Sequence, residues 1–225
     1  MSRRLLPAVL LMMFVSATAH AGLRSPQVPV SGTALSTFFA SQGQSIDVAN
    51  GQLDLKVMSV PALTNFQVMV YGPGVATTSF GSYNTAPASP ALYQIQPSAA
   101  TPGSYELAVF KNSPARLVVN LFDPSNQVLG TSSFVGADPT GFGFYATVSG
   151  TTTFYTQDSR NAGSAPRVLA YAGTGTRTGW TWFAFETGAG PGGDFADFIA
   201  LVNMTPTSPV AVRQTAWGVL KQLFK

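Results

Sequence analysis

Three carboxylates toward the C-terminal end of an otherwise charge-poor chain are the side chains best spaced for chemistry. Glu186 closes the run "GWTWFAFE". Asp194 and Asp197 lie in "GPGGDFADFIALV", a glycine-rich turn that runs into an apolar segment. Calcium takes roughly six to eight oxygen ligands, mostly carboxylates and carbonyls. Glu186, Asp194 and Asp197 would supply the carboxylates and turn carbonyls the remainder, so calcium is the cofactor to consider. The spacing is neither that of an EF-hand loop nor that of the glycine-aspartate calcium rolls, so such a site would belong to the weak, extracellular class. The structural alternative gives Asp194 an Asx-type turn and leaves Asp197 solvated where the strand begins.

Two further groups could bind a ligand. "FYTQDSRNAG" gathers Tyr155, Gln157, Asp158, Arg160 and Asn161 around a turn. Trp180 and Trp182, two positions apart, share one face of a strand. On a surface, Tyr155, Asp158, Asn161 and Trp180 would hydrogen-bond to and stack on a sugar. The plainer reading has Asn161 and Gly163 shaping the turn and Asp158 pairing with Arg160 or capping a backbone group. The tryptophans would then be core, because Phe183 and Phe185 fill the opposite face and a strand apolar on both faces is central in its sheet.

Enzyme chemistry has little to work with. His20 is the sole histidine and there is no cysteine. Without His20 the chain has no Ser-His-Asp triad, no Cys-His pair and no ordinary zinc site. No motif singles out a carboxylate pair for glycoside hydrolysis, and Lys56, Lys111 and Lys221 stand in no recognisable frame with a serine. The expectation is a protein that is not an enzyme.

The N-terminus supplies the reason to set His20 aside. Arg3 and Arg4 precede an apolar run from Leu5 to Val15, and "AHA" at 19–21 fits a small-x-small cleavage site. Residues 1–21 read as a signal peptide, too short in its apolar part to stay as a spanning helix. Cleavage would lower the formal charge from +3 to about +1. The remaining basic residues are scattered, which excludes a nucleic-acid surface. The expected location is outside the cytoplasm: extracellular, at the cell surface, or periplasmic, with no transmembrane segment after cleavage. Charged residues make up 9% of the chain, against about 25% in typical soluble domains, so Ser, Thr, Asn and Gln must carry much of the surface.

The elements that must position these groups are short strands. Residues 22–44 show no clear periodicity and read as a lead-in, and the body spans 45–203. "GQLDLKVMSV" alternates Leu53, Leu55 and Val57 against Asp54 and Lys56, as a half-buried strand would. "NFQVMVYG", "SYELAVFK", "ARLVVNLFD", "GFGFYATV", "TTTFYTQD", "RVLAYAG", "GWTWFAFE" and "DFIALVN" continue the pattern with β-branched and aromatic residues. Asp123-Pro124-Ser125-Asn126 predicts a hairpin turn. The fold expected is all-β: an antiparallel, jelly-roll-like β-sandwich with a short C-terminal helix. That helix, 214–225, follows a Pro/Thr/Ser linker at 204–213. Trp217, Leu220, Leu223 and Phe224 fall on one of its faces, which must dock on the sandwich, a partner or a membrane surface.

Several of these motifs occur together in a known pattern. Phe142 to Tyr145, Phe154-Tyr155-Thr156-Gln157-Asp158, Asn161-Ala162-Gly163, Arg167 to Tyr171, Phe185-Glu186 and the Asp194/Asp197 pair resemble a family of bacterial extracellular domains of unknown function. The ending "TAWGVLKQLFK" is similar to the Trp-Gly-x-Leu-Lys ending of such proteins. The resemblance implies an exported β-sandwich of modular or adhesin-like proteins and no defined activity. Thr187 stands where that pattern has an acid, and its acidic cluster is thinned here to Asp194 and Asp197. Together these readings point to a secreted or surface-associated structural or adhesive module whose partners are polysaccharide or other surface proteins. A carbohydrate-binding module is the alternative.

Overall fold

The computed structural model describes residues 21–100, 103–188 and 193–205. The expected signal peptide, the C-terminal helix with its Trp217, Leu220, Leu223 and Phe224 face, and nearly all of the linker lie outside the described residues.

Among the described residues the chain forms an all-β sandwich of two antiparallel sheets with one short α-helix. Twelve strands occur in order: β1 (Gln52–Leu53), β2 (Asn65–Tyr71), β3 (Thr78–Asn84), β4 (Leu92–Gln96), β5 (Tyr105–Asn112), β6 (Ala115–Phe122), β7 (Val128–Val135), β8 (Phe142–Val148), β9 (Thr152–Tyr155), β10 (Val168–Ala172), β11 (Thr181–Phe185) and β12 (Phe198–Thr205). The large sheet runs β1-β10-β11-β12-β2-β5-β6-β7 and the small one β4-β3-β8-β9. The hairpin expected at Asp123–Asn126 joins β6 to β7. Asp123 Oδ1 accepts the amides of Ser125 and Gln127, and Asn126 takes the left-handed φ of 64° that the turn needs.

Alternation along the strands fills the space between the sheets with phenylalanine. Phe66, Phe110, Phe183, Phe185 and Phe198 of the large sheet meet Phe80, Phe142 and Phe144 of the small one. The Phe144–Phe183 and Phe80–Phe144 ring centroids lie 5.0 and 5.1 Å apart. With no disulfide in the chain, this burial is the main source of cohesion.

A second core lies on the outer face of β10, β11 and β12, and it corrects the lead-in reading of 22–44. Ala34–Ser41 form helix α1, whose Leu35 and Phe39 are buried against Leu169, Tyr171, Trp182, Ile199 and Leu201. Phe39 meets the Tyr171 ring edge-on at 5.3 Å, and Phe38 meets Trp182 at 5.7 Å. Trp182 and Phe183 are thus both fully buried, on opposite faces of β11, which lies between β10 and β12. Gln44 seals the end of this core by accepting the Thr174 amide and the Trp182 indole N–H. Among the described residues, no helix is long and apolar enough to cross a membrane.

The strand expected over "GQLDLKVMSV" is also corrected. Only Gln52–Leu53 pair with β10, and Val57 is exposed rather than inward. The segment after Gly22 takes the remaining contacts: Leu23 bridges Leu53, Asp54 N–H donates to the Gly22 carbonyl, and Arg24 reaches the Val168 carbonyl.

Candidate functional site

The acidic turn is positioned by β11 and β12. Glu186 follows β11 directly and Asp197 directly precedes β12, and because these strands pair as neighbours the two residues meet at one end of the sheet. Both are buried, Glu186 at 3% and Asp197 at 7% exposure. Asp197 is therefore not solvated where the strand begins. Its Oδ2 accepts the Thr187 amide at 2.8 Å, the Thr187 hydroxyl at 3.0 Å and the Gly188 amide at 3.1 Å. Glu186 Oε2 accepts the amides of Gly193 at 2.8 Å and Phe195 at 3.3 Å, and Oε1 that of Gly188 at 3.3 Å. Asp194 makes the expected Asx turn, accepting the Ala196 amide at 3.0 Å. The Asp197 carbonyl also accepts the Gly74 amide at 2.9 Å. A Cβ at Gly74 would stand 2.8 Å from that oxygen, so glycine is needed for the approach.

Glu186 and Asp197 converge, sharing the Gly188 amide, but what converges on them is a set of donors. Backbone N–H dipoles aimed at the carboxylates neutralise them and raise the local potential, the opposite of what a cation requires. Among the described residues, no group of three or more His, Cys, Asp or Glu side chains is arranged to hold a metal ion. What the arrangement does is pin a long turn to the strands on either side of it.

The group around Asp158 is likewise turned inward. Asp158 pairs with Arg24 at 2.5 Å and with Lys56 at 3.4 Å, rather than with Arg160. Arg160 instead donates to Gln157 and to the carbonyls of Thr85, Pro87 and Ala88, with its guanidinium 5.3 Å from the Tyr83 ring centre. The Asn161 amide closes on the main chain of Tyr155, accepting its N–H at 2.9 Å and donating to its carbonyl at 3.0 Å. Tyr155 packs edge-on to Tyr83 at 5.0 Å. Trp180 lies against the outer core of the large sheet with Arg177 over its ring at 5.0 Å, whereas Tyr155 ends β9 of the small sheet. Tyr155, Asp158, Asn161 and Trp180 thus do not form one surface.

One functional group escaped the sequence reading. Glu106 on β5 is fully buried in the sandwich and faces Gln96, also fully buried, across from β4. A bulge between Phe80 and Gly81 shifts the β3–β4 register and lets both Ile95 and Gln96 turn inward. With its nitrogen turned toward Glu106, the Gln96 amide donates to both carboxyl oxygens, Oε2 at 2.5 Å. Burial pushes the Glu106 carboxyl up to about 8. It therefore carries its proton at neutral pH. The available signal was the alternation in "SYELAVFK", which puts Glu106 on the same face as Ala108 and Phe110.

A surface hollow of about 360 Å3 beside α1 is lined by Gln27, Val28, Pro29, Val30, Ser36 and Val48, none of them ionisable. The cavity bordered by Arg24, Lys56 and Thr156 is only about 10 Å3, too small for any organic ligand. Comparison with known proteins found no family model and no curated protein that matches the chain.

Proposed function

We propose that the protein is an exported, non-enzymatic β-sandwich that serves as a structural or adhesive module at a bacterial cell surface. The observation that carries the reading is how its carboxylates are used. Asp47, Asp123, Asp138 and Asp194 each accept amides of their own turns. Asp158 is paired with Arg24, Glu106 is buried against Gln96, and Glu186 and Asp197 hold the β11–β12 turn. Asp54 alone remains, exposed and 3.7 Å from Lys56. A general acid or base needs a carboxyl within reach of a substrate, and these are engaged in holding the frame. The Arg3-Arg4 and Leu5–Val15 pattern supports export, and the resemblance of residues 142–202 to extracellular domains supports a modular surface role.

Sequencing the protein recovered from the cell surface tests the export half, with Gly22 as the expected first residue. Recovery of the whole chain from the cytoplasm with Met1 or Ser2 in place contradicts it. The surface role predicts that cells lacking the protein attach more weakly to surfaces or to one another, and unchanged attachment together with an unchanged envelope contradicts it. The apolar face expected of Trp217, Leu220, Leu223 and Phe224 fits a retention signal. On that reading, removing residues 214–225 lowers surface retention and leaves the melting temperature unchanged.

A further inference from the structure

A β-sandwich of two open sheets has four edge strands, and each exposes main-chain donors and acceptors to any strand that approaches. Two of these edges are covered and a third is short and flanked by proline. β1 is two residues long and is covered by the segment before it: Arg24 N–H donates to the Gln52 carbonyl at 2.8 Å, and Gln52 bonds both the amide and the carbonyl of Val28 through its side chain. β9 is four residues long, and Asn161 occupies the N–H and the carbonyl of Tyr155 as a neighbouring strand would. β4 is five residues long, with Pro90 before it and Pro97 after it.

β7 is different. It has eight residues, "VLGTSSFV", with no charge and no proline, and among the described residues it pairs on one side only, with β6. Val128, Leu129 and Val135 are 58%, 55% and 71% exposed. The bulge opposite Leu121 and Phe122 disturbs only the first residues, and Gly130 to Val135 continue in regular register. The Gly136 amide donates to the Ala115 carbonyl. Antiparallel pairs alternate, so the main chains of Phe134 and Ser132 face β6, and those of Thr131, Ser133 and Val135 face outward. These devices are absent from β7, the longest of the four edges.

We propose that β7 is a self-association edge, on which two copies of this chain pair antiparallel and join their large sheets into one. A two-fold axis at Ser133 sets Ser133 opposite itself and Thr131 opposite Val135, so every outward main-chain group between Thr131 and Val135 finds a partner. Opposed side chains then lie on the same face, with β-branched Thr131 against Val135 and Ser132 against Phe134, and no like charges meet. A second copy fits because the same uncharged segment supplies both halves of the ladder. The proposal does not rest on the adhesive reading, since an exported protein of any role can pair in this way.

The test is sedimentation of the chain from Gly22 to Lys225 over a wide concentration range, for the wild type, Thr131→Lys and Ser133→Pro. Lysine at 131 sets a charge opposite Val135 of the other copy, and proline at 133 removes an outward N–H without touching the β6 ladder. The wild type is expected to dimerise as concentration rises. Both variants should associate at least about tenfold more weakly, with near-native circular dichroism. A wild type that stays monomeric at every concentration overturns the proposal, as does a dimer that persists in both variants. A dimer lost only when residues 206–225 are removed also overturns it, by assigning the contact to the C-terminal segment.

Discussion

Glu106 sets a pH dependence that a charge-poor chain would not otherwise show. Its neighbours in register, Val68 on β2 and Leu121 on β6, are uncharged, and Gln96 faces it from β4. The folded carboxyl titrates at about 8 against 4.5 for the free side chain, so the folded state holds the proton more tightly than the unfolded chain. Its contribution to stability is complete below pH about 4.5 and is lost as pH rises toward 8, with a slope of roughly 1 kcal/mol per pH unit. Urea denaturation at a series of pH values should show this decline, and Glu106→Gln should flatten it. Equal slopes in the two proteins would show that Glu106 does not titrate in this window. In the acidic turn, Asp197→Ala leaves the Thr187 amide and hydroxyl without their acceptor and the Gly188 amide with Glu186 alone. It should destabilise the fold by about 2–3 kcal/mol, read from the same kind of denaturation curve.

The helix α1 makes a prediction about a single element. Phe39 fills the outer core over Tyr171 and Trp182, and Phe39→Ala should cost about 3–5 kcal/mol and shift tryptophan emission to the red as Trp182 gains water. A small loss with unchanged emission would mean that α1 contributes little to the fold. The strand β11 was legible in the sequence because tryptophan and phenylalanine alternate on both faces, a pattern that only a doubly covered strand sustains. Helix α1 was not legible. Leu35, Phe38 and Phe39 have helical spacing, but over eight residues such a pattern is too brief to stand out, and so short a helix is held by the sheet it packs on rather than by its own propensity. The alternation of Leu53, Leu55 and Val57 predicted a strand that pairing did not extend, because Gly22 to Arg24 took the available partners. The acidic turn was half legible: type and spacing brought Glu186 and Asp197 together, but the amides that meet them come from a turn geometry that residue names do not contain.

Across the whole molecule, two cores share one sheet. The central strands β10–β12 are buried between the phenylalanine layer on one face and α1 on the other, and the acidic turn lies at the end of β11 and β12, next to both cores. The turn therefore reads as a clasp on the most buried part of the fold, and this is the claim on which the structural, non-enzymatic reading depends. Melting of the wild-type protein in excess calcium and in chelator tests it most directly. Even a weak calcium site, at tenfold excess over its Kd, would add about 1.4 kcal/mol and raise Tm by about 3–6 °C. The clasp predicts coincident melting curves, with Asp197→Ala melting lower than the wild type in both conditions. A calcium-dependent rise in the wild type that Asp197→Ala abolishes would contradict it.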